Sequence, residues 1–167
     1  MNRLLLSLVL FEAGCVSLKS VSIQSVSTEP FTAGERNSVY ARSLTAFQTR
    51  GMLISLSEPV GGVLRSELQR SWIQCANALA DDFGNRGCWS TEQTQLTIGS
   101  DGNAFLRIDR VVTGTTQGYE SPVSPDMRLQ FQQECTAMLG FIVGKVPEPP
   151  APPPGAGLLP LTGGGSR

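Results

Sequence analysis

Four cysteines, Cys15, Cys75, Cys88 and Cys135, and the carboxylates Glu120 and Asp126 around a loop tyrosine, Tyr119, are the residues of this sequence with chemistry to offer. The chain has no histidine, so it lacks a Ser/His or Cys/His nucleophile pair, an imidazole metal ligand and any side chain that ordinarily titrates near neutrality. Glu120 and Asp126 are the pair nominated for a secreted hydrolase or transferase working through carboxylates, although no spacing rule marks them. No two cysteines stand at Cys-x-x-Cys spacing, which leaves a zinc site or a thioredoxin-like redox motif without support. Asp101 and Asn103 hint at a calcium loop, but the third ligand and the closing glutamate are missing, and Gly99 to Asn103 reads as a turn. No residue is assigned as catalytic, cofactor-binding or metal-binding.

Cys15 has a different setting. Asn2 and Arg3 precede an apolar run, Leu4 to Phe11, broken only by Ser7, the layout of a secretory signal peptide. At about 1.5 Å per residue that run reaches roughly 12 Å, well short of the ~30 Å hydrocarbon core. It ends in Glu12-Ala13-Gly14-Cys15. Ala13, Gly14 and Cys15 resemble the lipobox of bacterial lipoproteins, in which small residues precede a cysteine that is acylated and becomes the new N-terminus. Glu12 stands where that family has an apolar residue, usually leucine. The resemblance implies a lipid on Cys15 that anchors the chain in the cell envelope, in the outer membrane facing the periplasm. The function expected with it is non-catalytic: an accessory, binding or assembly subunit with a protein partner in an envelope complex. The alternatives are signal cleavage near Cys15 to Ser17, giving a secreted soluble enzyme, inhibitor or virion-associated structural protein, or an uncleaved apolar N-terminus packed into the fold.

Composition agrees with an exported chain of one core. Of 167 residues 40% are hydrophobic and only 16% charged, below the usual quarter. The formal net charge is -1 and Lys19 and Lys145 are the only lysines, so the concentrated positive charge that a nucleic acid partner needs is missing. The expected division is a signal peptide at 1–14, a lipid-anchored tether and first strand at 15–30, one globular domain at 31–145, and a disordered Pro/Gly-rich tail at 146–167. The tail contains Pro147-Glu148-Pro149-Pro150-Ala151-Pro152-Pro153-Pro154, a run short of backbone donors. Leu159-Pro160-Leu161-Thr162-Gly163 looks like a sortase signal, yet the hydrophobic span and basic tail of that signal do not follow.

The elements expected within the domain make it α+β, a small two-layer fold. Val21 and Ile23 alternate with Ser22 and Gln24, which suits a half-buried strand. Thr32-Ala33-Gly34-Glu35 has capping-box spacing, so a helix is expected from about Ala33 to Arg50 with Tyr40, Leu44 and Phe47 on one face. Met52 to Leu56 reads as a short buried strand. Leu64, Leu68, Trp72, Cys75, Leu79 and Phe83 advance by three or four residues, predicting an amphipathic helix over about 59–83. Alternating residues on either side of Gly99 to Asn103 predict a β-hairpin at about 89–113. Thr113 to Pro125 reads as a loop. Ser124 as cap and Pro125 at the first helical position open a C-terminal helix at about 125–144, with Met127, Phe131, Cys135, Leu139 and Ile142 on its apolar face.

With Cys15 acylated, three cysteines remain, and one must stay free in an oxidising compartment. About nine helical residues from Cys75 to Gly84 rise roughly 13 Å, and four extended residues back to Cys88 cover the same length. Cys75 and Cys88 are therefore the expected disulfide, with Cys135 a buried thiol. A Cys88 to Cys135 bond, or three reduced thiols, are the alternatives.

Overall fold

A computed structural model describes residues 16–79 and 87–147. The domain is α+β. Six antiparallel strands, β1 (Val16–Pro30), β2 (Ile54–Glu58), β3 (Val63–Ser66), β4 (Gln69–Gln74), β5 (Gly87–Ile98) and β6 (Asn103–Gln117), form one sheet in the order β1-β6-β5-β3-β2, with β4 also paired to β5. Two helices, α1 (Arg36–Thr49) and α2 (Pro125–Ile142), cover one face of it.

The hairpin is the spine. β5 and β6 pair in unbroken register from Trp89↔Thr113 to Ile98↔Ala104. Gly102 takes a φ of 83° in the connecting turn, where Asp101 accepts the Asn103 backbone N–H at 3.2 Å. Along β6, Ala104, Leu106, Ile108, Arg110 and Val112 are all buried on the helix-covered face, the period-2 pattern of a strand with one face packed. The expected tether is instead part of β1, which pairs with β6 at every position from Val16↔Gln117 to Pro30↔Asn103. Ser20 and Thr113 share a hydrogen bond across that pair. Thr113 to Gln117 likewise belongs to β6, so the connecting loop is shorter than expected.

The helix expected over 59–83 is absent from its described part. β3 and β4 lie there, both on the same edge of β5 and separated by Glu67 and Leu68. A spacing of four is even, so Leu64, Leu68 and Trp72 fit alternate positions of a strand as readily as turns of a helix. Tertiary pairing with β5 decides between the two. Gly62, with φ 71° and a missing Cβ that would meet the Ile98 carbonyl oxygen at 2.4 Å, turns the chain into β3. Leu64 is buried but Leu68 is exposed, so the stripe does not share one face. Phe83, its last member, lies outside the described residues.

The other helices form where expected. A 3-10 turn, Ala33–Glu35, precedes α1, but no side chain caps it, so the Thr32/Glu35 capping box does not close. Phe47 is buried and Tyr40 and Leu44 pack partly against the core. The strand near Met52 begins at Ile54 and runs along the sheet's far edge, half exposed rather than buried. Ser124 caps α2 by accepting from Met127 N–H at 3.2 Å, with Pro125 at the first position. Phe131, Cys135, Leu139 and Ile142 face inward.

α2 runs alongside β1 and closes part of its free edge. The Gln132 carboxamide accepts from Val26 N–H and donates to the Val26 carbonyl at 2.7 Å, standing in for a neighbouring strand. Lys145 pairs with Glu29 farther along. Arg42 of α1 donates to the Ile142 carbonyl at 2.8 Å, a cation on the negative end of α2. The proposed signal peptide, Cys15 and the tail from Glu148 onward lie outside the described residues.

Candidate functional site

The core is two apolar clusters with a charged layer between them. One cluster joins Phe47, Leu64, Leu96, Leu106, Met138 and Ile142, and the other joins Ile23, Cys75, Cys88, Val112, Val123 and Phe131. Arg110 sits between Ile108 and Val112 on the buried face of β6, and Glu92 sits opposite it on β5. Arg110 Nε donates to Glu92 at 2.6 Å and its Nη2 donates to Glu134 of α2 at 2.6 Å. Glu134 also pairs with Arg50, at the end of α1. The four side chains are between 3% and 16% exposed. Two cations and two anions balance, which is what burial of charge requires.

The Arg110 guanidinium also lies 4.3 Å from the Phe131 ring centroid. Burial lowers the pKa of Arg50, opposed by Glu92 and assisted by Arg110. Among the described residues nothing accepts from Arg50 Nε, Arg50 Nη1 or Arg110 Nη1. Each carboxylate in the layer is held by an arginine, which ties both helices to the sheet.

Cys75 and Cys88 form a disulfide, with Cα atoms 5.7 Å apart, and Cys135 is a free, buried cysteine. The pairing expected from sequence is present, but its geometry differs from the expected helix and returning strand. β4 and β5 are direct neighbours, Ile73↔Cys88 and Gln74↔Gly87, and Cys75 follows immediately. Gly114 of β6 makes room for the bond, since a Cβ there would stand 2.1 Å from Cys88 Sγ. Burial pushes the Cys135 thiol up to about 11, despite the opposing pull of Arg110 and Arg50. A thiol so buried should react with an aromatic disulfide reagent only after denaturation. Native-state labelling at the rate of a free thiol would contradict this.

Glu120 and Asp126 are not gathered into a site. Glu120 takes part through its backbone carbonyl, which accepts from Lys19 Nζ and from Thr116 Oγ1, both at 3.1 Å. Asp126 is exposed in the first turn of α2. Among the described residues no three His, Cys, Asp or Glu side chains form a metal-binding group, and no helix is long and apolar enough to cross a membrane.

Several exposed apolar residues lie on the face of the sheet away from the helices. Trp72 and Trp89 pair edge to face on the uncovered face of the sheet, centroids 4.9 Å apart, with the Arg70 guanidinium 4.2 Å from the Trp89 centroid. Phe105 and Val111 share that face. At the end where β1 begins, Val16, Leu18 and Tyr119 are exposed. Arg50, Glu92, Arg110 and Glu134 were not singled out by motif or spacing. Continuing the alternation of Leu106 and Ile108 by one step would have placed Arg110 in the core.

No protein-family model matches this chain, and no curated protein matches it. Among solved structures, a crystal structure of Ara h 8.0201 is similar over 76% of this chain and 97% of that one, with 11% identity and a TM-score of 0.35.

Proposed function

We propose that this chain is a non-catalytic lipoprotein of the cell envelope, held by a lipid on Cys15 and serving as an accessory, binding or assembly subunit for a protein partner. The observation that carries this reading is the position of Cys15. It follows an apolar run and the small residues Ala13 and Gly14, and it directly precedes the first residue of an edge strand. An acylated Cys15 places the sheet beside the bilayer and leaves the face carrying Trp72, Trp89 and Arg70 turned toward other envelope proteins. Aromatic and arginine side chains are the types favoured where partners dock. The buried charges favour a structural reading, because Arg50, Arg110, Glu92 and Glu134 neutralise one another inside the domain.

Cys15→Ser should move the protein from the membrane fraction to the soluble fraction, and mass spectrometry of the mature wild type should find acylated Cys15 at its N-terminus. A soluble wild type with a free amine at its start would replace this proposal with that of a secreted protein.

A further inference from the structure

We infer that the end of the sheet formed by Val16, Leu18 and Tyr119 rests in the lipid–water interface, so that the domain meets the bilayer through a fixed contact. The inference builds on the lipid anchor proposed above. It follows from the length of chain available: no residue separates Cys15 from Val16, where β1 begins. The Cα of Val16 is thus about 3.8 Å from that of Cys15. Leu18 lies only about 10 Å beyond Cys15 along an extended strand. The headgroup zone on one side of a bilayer is roughly 5–7 Å thick. Acyl chains entering the hydrocarbon from Cys15 therefore bring Val16 into that zone, and Leu18 joins it with β1 inclined to the membrane normal, the tilt that seats Leu18 and Tyr119 together.

The residues at this end suit such a setting. Val16 is 62% and Leu18 73% exposed, and Tyr119 is fully exposed. Tyr119 belongs to the same end because Val16 is paired with Gln117, two residues before it. Its backbone is held in place: Lys19 Nζ donates to the carbonyls of Gly118 and Glu120 on either side of it, and the same ammonium lies 5.8 Å from its ring centroid. A tyrosine presented on a tied loop beside a lysine is an arrangement found at membrane surfaces, where the ring sits among headgroups and the ammonium stays in water.

The test uses the full-length acylated protein in vesicles of phosphatidylethanolamine and phosphatidylglycerol. An environment-sensitive fluorophore is attached through Tyr119→Cys, through Leu18→Cys, or through Asp101→Cys in the turn at the opposite end of the hairpin. Interfacial seating predicts that lipid-borne quenchers dim the labels at 119 and 18 severalfold more than the label at 101. Equal quenching at all three positions in vesicle-bound protein would overturn the inference and leave the anchor standing. Should Tyr119→Cys disturb the native disulfide, the Leu18→Cys arm gives the answer alone. Failure of the anchor is read separately, as an unmodified N-terminus and no flotation with vesicles, and removes both proposals.

Discussion

Glu134→Ala should destabilise the domain by about 3–5 kcal/mol, the usual effect of removing one partner from a buried ion pair. Glu134 accepts from Arg50 on one oxygen and from Arg110 on the other, so the substitution leaves two desolvated guanidinium groups short of an anion. Glu92 would still pair with Arg110, but Arg50 would lose its salt bridge. For a domain of this size the change corresponds to a drop in Tm of about 10–20 °C. Replacing Arg50, Glu92, Arg110 and Glu134 together by apolar residues of similar volume should change stability far less, because such cores are often as stable as the ion pairs they replace. Denaturant titration of the single and quadruple variants separates the two effects. A single variant within about 1 kcal/mol of wild type would mean that the layer is solvated enough to tolerate unpaired charge.

Removing the disulfide should have an effect of comparable size. The bond joins positions 13 apart in sequence, and closing a loop near that length limits the unfolded chain by about 3 kcal/mol in the chain-entropy model. The sulfur atoms also fill the space over Gly114 and belong to the cluster with Val112, Val123 and Phe131, so Cys75→Ser with Cys88→Ser loses packing as well. We expect a loss of about 2–5 kcal/mol, measured by urea unfolding under non-reducing conditions. The double variant should be matched by the wild type in reductant. A crosslinked peptide containing Cys135 in the non-reduced protein would contradict the pairing.

The hairpin and α2 were legible in the sequence because their signals are local. Gly102 meets the positive φ of its turn, Ser124 and Pro125 open a helix, and Leu106 and Ile108 alternate with polar neighbours. The segment from Pro59 to Leu79 was not legible, for a physical reason. Its apolar spacing of four suits both periods, and the pairing with β5 that selects strand lies across a gap in sequence. Gly61 and Gly62 were the local evidence against a helix there. The charged layer has no local signal in the sequence, because Arg50, Glu92, Arg110 and Glu134 come from four separate elements and each alone resembles an ordinary surface charge. The disulfide joins the expected cysteines although the expected helix is absent from its described residues: short sequence separation brings Cys75 near Cys88 in either geometry.

The continuous pairing of β1 with β6 has a mechanical meaning. All fifteen residues of β1 are in register with β6, and the ladder hydrogen bonds of an antiparallel pair run perpendicular to the strands. A pull on the N-terminal end of β1, directed along the strand while the domain is held through α2 or β6, loads those bonds side by side in shear. They must then slip together, whereas a pull across the sheet would unzip them one at a time. The Val26 to Gln132 contact and the Lys145 to Glu29 pair tie β1 to α2 as well, so tension entering at the first strand is shared between the sheet and the helix above it.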